Sequence, residues 1–191
     1  MFTHLTQSSF LDIFDTSNML FPIVVAIGTG VLIAILGPIN GLLHTKTGTW
    51  GLSSLVHAIG LGVSLLGLIL FQQAPLLGAY LGTPQRLALA FLAVCLLLAY
   101  AGLVWIGIQK GLPWYSFLGG IIGILVVLGT VFSINKLGVA NAITLLLASQ
   151  VLAAALLQQF GLLGQEASPL SAAKLVGLGI LLMGAVIAVR S

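Results

Sequence analysis

The sequence predicts an all-α protein, a polytopic bundle of about six transmembrane helices, and three observations carry that prediction. Of its 191 residues, 60% are hydrophobic and 5% charged, whereas a soluble domain carries charge on about a quarter of its residues. The mean hydropathy is +1.24. The apolar residues gather into runs of about 20, long enough to cross a ~30 Å hydrocarbon core at ~1.5 Å rise per residue. The charged residues stand at or beyond the ends of these runs: Lys46, Arg86, Lys110, Lys136, Lys174 and Arg190, with the acids Asp12, Asp15 and Glu166. The formal charge of +3 therefore describes interfacial anchors, and no basic cluster suited to nucleic acid is present. Cys95 lies alone inside an apolar run. This excludes a disulfide framework and any Cys/His metal spacing, and a small buried hydrophobe is expected there. No cofactor is expected.

Residues 1–18 form an amphipathic or loose tail, with Phe2, Leu5, Phe10, Ile13 and Phe14 along one stripe. A cleaved signal peptide is not expected, because the leading segment has no positive charge and no small-residue cleavage site follows the apolar run. Residues 19–191 read as a single transmembrane domain. Its first span, about 20–43, has Ser17 or Asn18 as N-cap and small residues at Gly28, Gly30, Ala34, Gly37 and Gly41. Pro38 removes a helix donor, so a break is expected at Gly37-Pro38-Ile39-Asn40, either lining a cavity or kinking the packing. The second span, about 52–71, places Ser53, His57, Gly60, Ser64 and Gly67 on one narrow stripe. A histidine inside a span is costly without a partner. His57 is thus either a cavity-facing group or a neutral imidazole bonded to a neighbouring carbonyl.

After a proline-rich and glycine-rich connection, the third span, about 86–108, carries the fewest polar groups and reads as peripheral. The fourth, about 114–134, opens on the interfacial pair Trp114 and Tyr115 and presents Gly119, Gly120 and Gly123 for helix packing. The short polar hinge Asn135-Lys136-Leu137-Gly138 leads into the fifth span, about 139–160, which holds Asn141, Thr144, Ser149 and Gln150 at membrane depth. Asn141 is placed to cap that span, and Thr144 to bond back to the Ala140 carbonyl. The sixth span, about 172–189, offers Gly177, Gly179 and Gly184 for close packing and Arg190 as its anchor. Six spans put Lys46, Lys110 and Lys174 on one side and Arg86, Lys136 and Arg190 on the other. The basic residues thus give no orienting bias, and insertion in both orientations would yield an antiparallel homodimer.

Pro113-Trp114-Tyr115 with Leu118-Gly119-Gly120-Ile121-Ile122-Gly123, then Leu137-Gly138-Val139-Ala140, Ala148-Ser149-Gln150, Phe160-Gly161-Leu162, and Gly177 with Gly184 form a set. In this set the sequence resembles the YdcZ-like short members of the drug/metabolite transporter superfamily, inner-membrane exporters of bacteria. Asn40-Gly41 and the stretch from Gly48 to Gly67 are similar to that family's first hairpin. The resemblance implies a multi-pass protein of the bacterial inner membrane that exports a small solute. The family generally has five spans, which makes 86–108 the additional one. Gly37-Pro38 stands where the family often has Gln, and Gln158 or Gln159 where it has an acid.

Two functional readings stand side by side. The first is a transporter of a small organic solute, its pathway lined by Asn40, Ser53, His57, Ser64, Thr144 and Gln150, groups that exchange hydrogen bonds with a neutral or zwitterionic substrate. No carboxylate lies within a span, so facilitated diffusion or weak proton coupling through His57 is expected. The second is a non-transporting scaffold or accessory subunit that holds a partner membrane subunit. An enzyme is not expected, since no carboxylate pair, nucleophile-base arrangement, phosphate loop or metal cluster is in the sequence.

Overall fold

The computed structural model describes residues 19–71 and 79–190. The tail expected over 1–18 lies outside the described residues. Five helices are long and apolar enough to cross a membrane. They are α1 (Leu20–Phe71), α2 (Thr83–Gln109), α3 (Gly119–Leu137), α4 (Val139–Gln159) and α5 (Ala172–Arg190), with 3₁₀ turns at Trp114–Phe117 and Leu162–Gly164. The chain is an all-α polytopic bundle.

At 52 residues α1 would measure ~78 Å as a straight rod, more than twice the hydrocarbon thickness. It is not straight. Gly48 leaves helical geometry with φ 66° and ψ 180°, a left-handed conformation that glycine adopts without the clash a Cβ would bring. Around it the chain folds back. A Cβ added to Gly119 would collide with Asn40 Oδ1 and lie 3.2 Å from Val56 Cγ2, so residues 40 and 56 meet at one point of α3. In an unbroken helix they would stand ~24 Å apart. Leu43 and Leu55 likewise share one core cluster with Leu112 and Phe117, against which Leu52, Tyr100 and Val104 pack. Thus α1 is a hairpin of a first limb (20–47) and a second limb (49–71), each of membrane length. The break expected at Gly37-Pro38 lies elsewhere: Pro38 is accommodated inside the helix, and the reversal falls at Gly48.

The first limb and α3 run antiparallel, with Thr29 against Gly129 at one end and Asn40 against Gly119 at the other. Gly30 of the same limb meets α4 at Leu146 and Ser149. Gly138, at φ 80°, ends α3 and starts α4, donating its N–H to the Ile134 carbonyl at 2.9 Å. These elements form the centre. The outer helices are looser: α2 buries only Ala93 and is held on the second limb through Gly62 and Leu97, and through the Tyr100 hydroxyl, which donates to the Phe117 carbonyl. The apolar window of α5 is wholly unburied, its neighbour being α4. Exposed apolar faces are what a bilayer solvates. Cys95, expected to be buried, is exposed on α2. The fourth apolar run begins as the 3₁₀ turn Trp114–Phe117, and its α-helix starts at Gly119 rather than at Trp114.

Candidate functional site

Among the described residues, Ser116 is buried in the turn before α3, its hydroxyl donating to the Pro113 carbonyl at 2.7 Å, and polar side chains reach the helix-packed interior at two further places. The first is where the two limbs of α1 cross the start of α3. Gly119 and Gly120 let the backbones approach there: a Cβ on Gly120 would collide with the Val56 carbonyl oxygen and Ile59 Cγ2. Into this crossing projects Asn40, whose Oδ1 is buried without a hydrogen-bond partner and rests on Gly119. A Cα–H···O contact of that sort is weak. A buried amide oxygen left without a donor costs ~1–3 kcal/mol, more than that contact returns.

The second place lies between the first limb and the hairpin of α3 and α4. Thr29 and Ser149 are both buried, and each hydroxyl donates to its own helix, Thr29 to the Val25 carbonyl at 2.7 Å and Ser149 to the Leu145 carbonyl at 2.8 Å. These hydroxyls are satisfied and serve packing. Ser133 Oγ, fully buried on α3, has no partner.

The other residues expected to line a pathway do not converge on Asn40. His57 is exposed and its Nδ1–H donates to the Ser53 carbonyl, 2.7 Å away on its own helix. The residues of the second limb that meet α3 are Val56, Ile59 and Gly60, so His57 stands roughly 100° around the helix from the centre of that face. Ser53 is half-buried and Ser64 exposed. His57 and Ser64 of that stripe therefore face outward, while Gly60 stays in contact with α3 at the Gly120 carbonyl oxygen. Thr144 is half-buried. Among the described residues it makes no back-bond to Ala140; that bond is made one turn later by Ser149. Asn141 does not cap α4, which starts at Gly138 without a side-chain cap. Gln150 lies half-buried in a groove between α4 and α5.

The glycines divide in the same manner. A Cβ at Gly123, Gly177 or Gly184 would meet nothing within 4 Å, so these three are not close-packing positions within the chain. Gly30, Gly107 and Gly129 are, the last two against Phe117 and Thr29. Gly30 stood among the small residues of the first span; Gly107 and Gly129 carry no signal in the sequence that separates them from their neighbours.

A bundle with apolar outer faces and an unsatisfied amide where α1 crosses α3 defines a multi-pass membrane protein with a polar group in its interior, the architecture on which solute carriers are built. Residues 77–187 match the family of the inner membrane exporter YdcZ, within the drug/metabolite transporters. The match spans more than half of the chain, and the chain belongs to that family. It is a multi-pass protein of the inner membrane. The matched stretch takes in α2, expected to be the addition, and it is the α1 hairpin that lies outside it. No curated protein and no solved structure matches the chain.

Proposed function

We propose that this protein moves a small neutral or zwitterionic organic solute across the inner membrane, as a facilitator or exporter, with Asn40 as the group that contacts it. The observation that carries the reading is the buried, partnerless Asn40 Oδ1 at the crossing of both α1 limbs with α3. Buried amides in folded proteins are bonded, and exceptions mark places where something is bound or strain is held. A solute donor at this point would supply the missing bond. Membership of a family of exporters supports the same reading. The helices α1 to α5 contain no Asp or Glu, so exchange of protons for a cationic solute at an intramembrane carboxylate is not the mechanism proposed. With His57 bonded to its own helix on the outer face, facilitated movement is favoured over coupling through that imidazole.

Asn40→Leu tests this in proteoliposomes. The leucine keeps the branched outline, adds some volume and removes the orphaned amide, so the variant is expected to unfold at or above the temperature of the native chain while losing transport about tenfold or more. A panel of neutral and zwitterionic solutes should raise the melting temperature of the native protein and not of the variant. If no solute shifts the native protein and the variant is simply more stable, the scaffold reading takes over.

A further inference from the structure

The seam between α4 and α5 is the least closed part of the molecule. A groove of about 430 Å³ runs along it, walled by Val151, Ala154, Ala155 and Leu178. That volume is in the range of ligand pockets. A second, apolar space of about 300 Å³ continues the seam past Leu152 toward Val186. Gly177 and Gly184 have nothing within 4 Å of an added Cβ. Helices in lipid are held by close packing, and within the chain this seam is left open.

Its mouth is polar and built. Lys174 Nζ donates to Gln158 Oε1 at 2.6 Å, and two further ammonium donors remain. The loop before α5 is fixed to the end of α4: Ser168 N–H donates to the Gln158 carbonyl at 2.9 Å, and Leu170 N–H to Gln159 Oε1 at 2.6 Å. The Lys174 N–H meets Ser171 Oγ at 3.3 Å. These bonds set Lys174 over the opening. Neither α4 nor α5 contains an acid; the nearest in sequence, Glu166, sits in the loop between them and does not line the groove, so the groove has Lys174 at its mouth, apolar walls behind it and Gln150 as the polar side chain in its depth.

We infer that this groove binds an anionic amphiphile, its carboxylate or phosphate head on Lys174 and Gln158 and one acyl chain along the seam. Basic positions between transmembrane helices at the interface recognise anionic heads, while the chain selects for lipid over a free anion. The site is separate from the Asn40 crossing and does not depend on the transport reading.

The test is retention on the purified full-length protein, read by native mass spectrometry, with phosphatidylglycerol, phosphatidylcholine and laurate as probes. Phosphatidylglycerol should be retained in preference to phosphatidylcholine, and Lys174→Gln should weaken that retention about fivefold. Gly177→Leu, whose Cβ has no atom within 4 Å and whose branched end reaches into the groove, should remove retention while the melting temperature in detergent is kept. Laurate retained with the same Lys174 dependence assigns the site to free amphiphiles as well; phosphatidylglycerol alone assigns it to the phospholipid head. Equal retention of the two phospholipids, or a Gly177→Leu variant that retains phosphatidylglycerol like the native protein, overturns the proposal.

Discussion

Gly120 and Gly123 stand one turn apart on α3 and are indistinguishable by residue type, yet they have opposite surroundings. A Cβ on Gly120 would strike the Val56 carbonyl oxygen, a backbone atom that cannot swing aside, whereas one on Gly123 would enter open space. Gly120→Ala should therefore destabilise by ~1–3 kcal/mol through overpacking. Gly123→Ala should stabilise by up to ~1 kcal/mol, because alanine loses less conformational freedom in a helix. Reversible unfolding in mixed micelles reads both, and equal effects would contradict the crossing at Gly119-Gly120. The pair also shows what the sequence withholds. In a soluble helix the polar face tells which side is buried, but here every face is apolar, and only the position of a neighbouring backbone separates a packing glycine from a lipid-facing one. His57 is conspicuous for the same reason: a polar group in an apolar run signals a partner without saying whether that partner is a ligand or a backbone carbonyl, here that of Ser53 on its own helix. Replacing His57 with alanine should leave the pH profile of transport unchanged; a flattened profile would restore it to the pathway.

At the scale of elements, membrane-length apolar runs were legible because hydrocarbon admits few solutions to backbone hydrogen bonding. The reversal within α1 was not. Proline announces a missing donor, which makes Pro38 conspicuous, but a proline well inside a helix needs only local adjustment in lipid. Gly48 turns the chain, since φ 66° is open to glycine and costs other residues ~1–2 kcal/mol. Gly48→Val should thus destabilise the protein by at least that amount and widen the distance between spin labels on residues 44 and 52. A change at Pro38 should leave that distance as it was. Among the described residues, the side-chain tie of the outer helix α2 to the rest of the bundle runs from the Tyr100 hydroxyl to the Phe117 carbonyl. Tyr100→Phe is expected to cost ~0.5–1.5 kcal/mol and to speed amide exchange in α2 ahead of α3; uniform exchange across both would show that α2 is held by its apolar contacts alone.

For the molecule as a whole, the folded-back α1 decides which charges share an end. Leu43, Leu55, Leu112 and Phe117 cluster together, and Gly164 lies on Leu42, so the loops holding Lys46, Lys110 and Lys174 gather at one end. At the opposite end Phe21 stacks edge-on against Phe132 at 5.6 Å, beside Lys136, with Arg86 and Arg190 on the same side by alternation of the helices. Three basic residues then face three, and orientation in a bilayer follows the excess of lysine and arginine in short loops. With no excess, reporters fused after Ser191 and active on one side only are expected to give signal on both sides of the membrane. Thr49→Lys with Gln109→Lys, both at exposed positions, gives the first end five basic residues against three and should collapse the signal to the side that places this end in the cytoplasm. A native chain that reports from one side alone would refute dual insertion. If it reports from both, the biased variant separates the remaining alternatives: it keeps the packing between helices and loses only the exposed His44–Thr49 bond at the α1 turn, so transport that persists belongs to a single orientation, and transport that vanishes and returns on mixing with an oppositely biased copy belongs to an antiparallel pair.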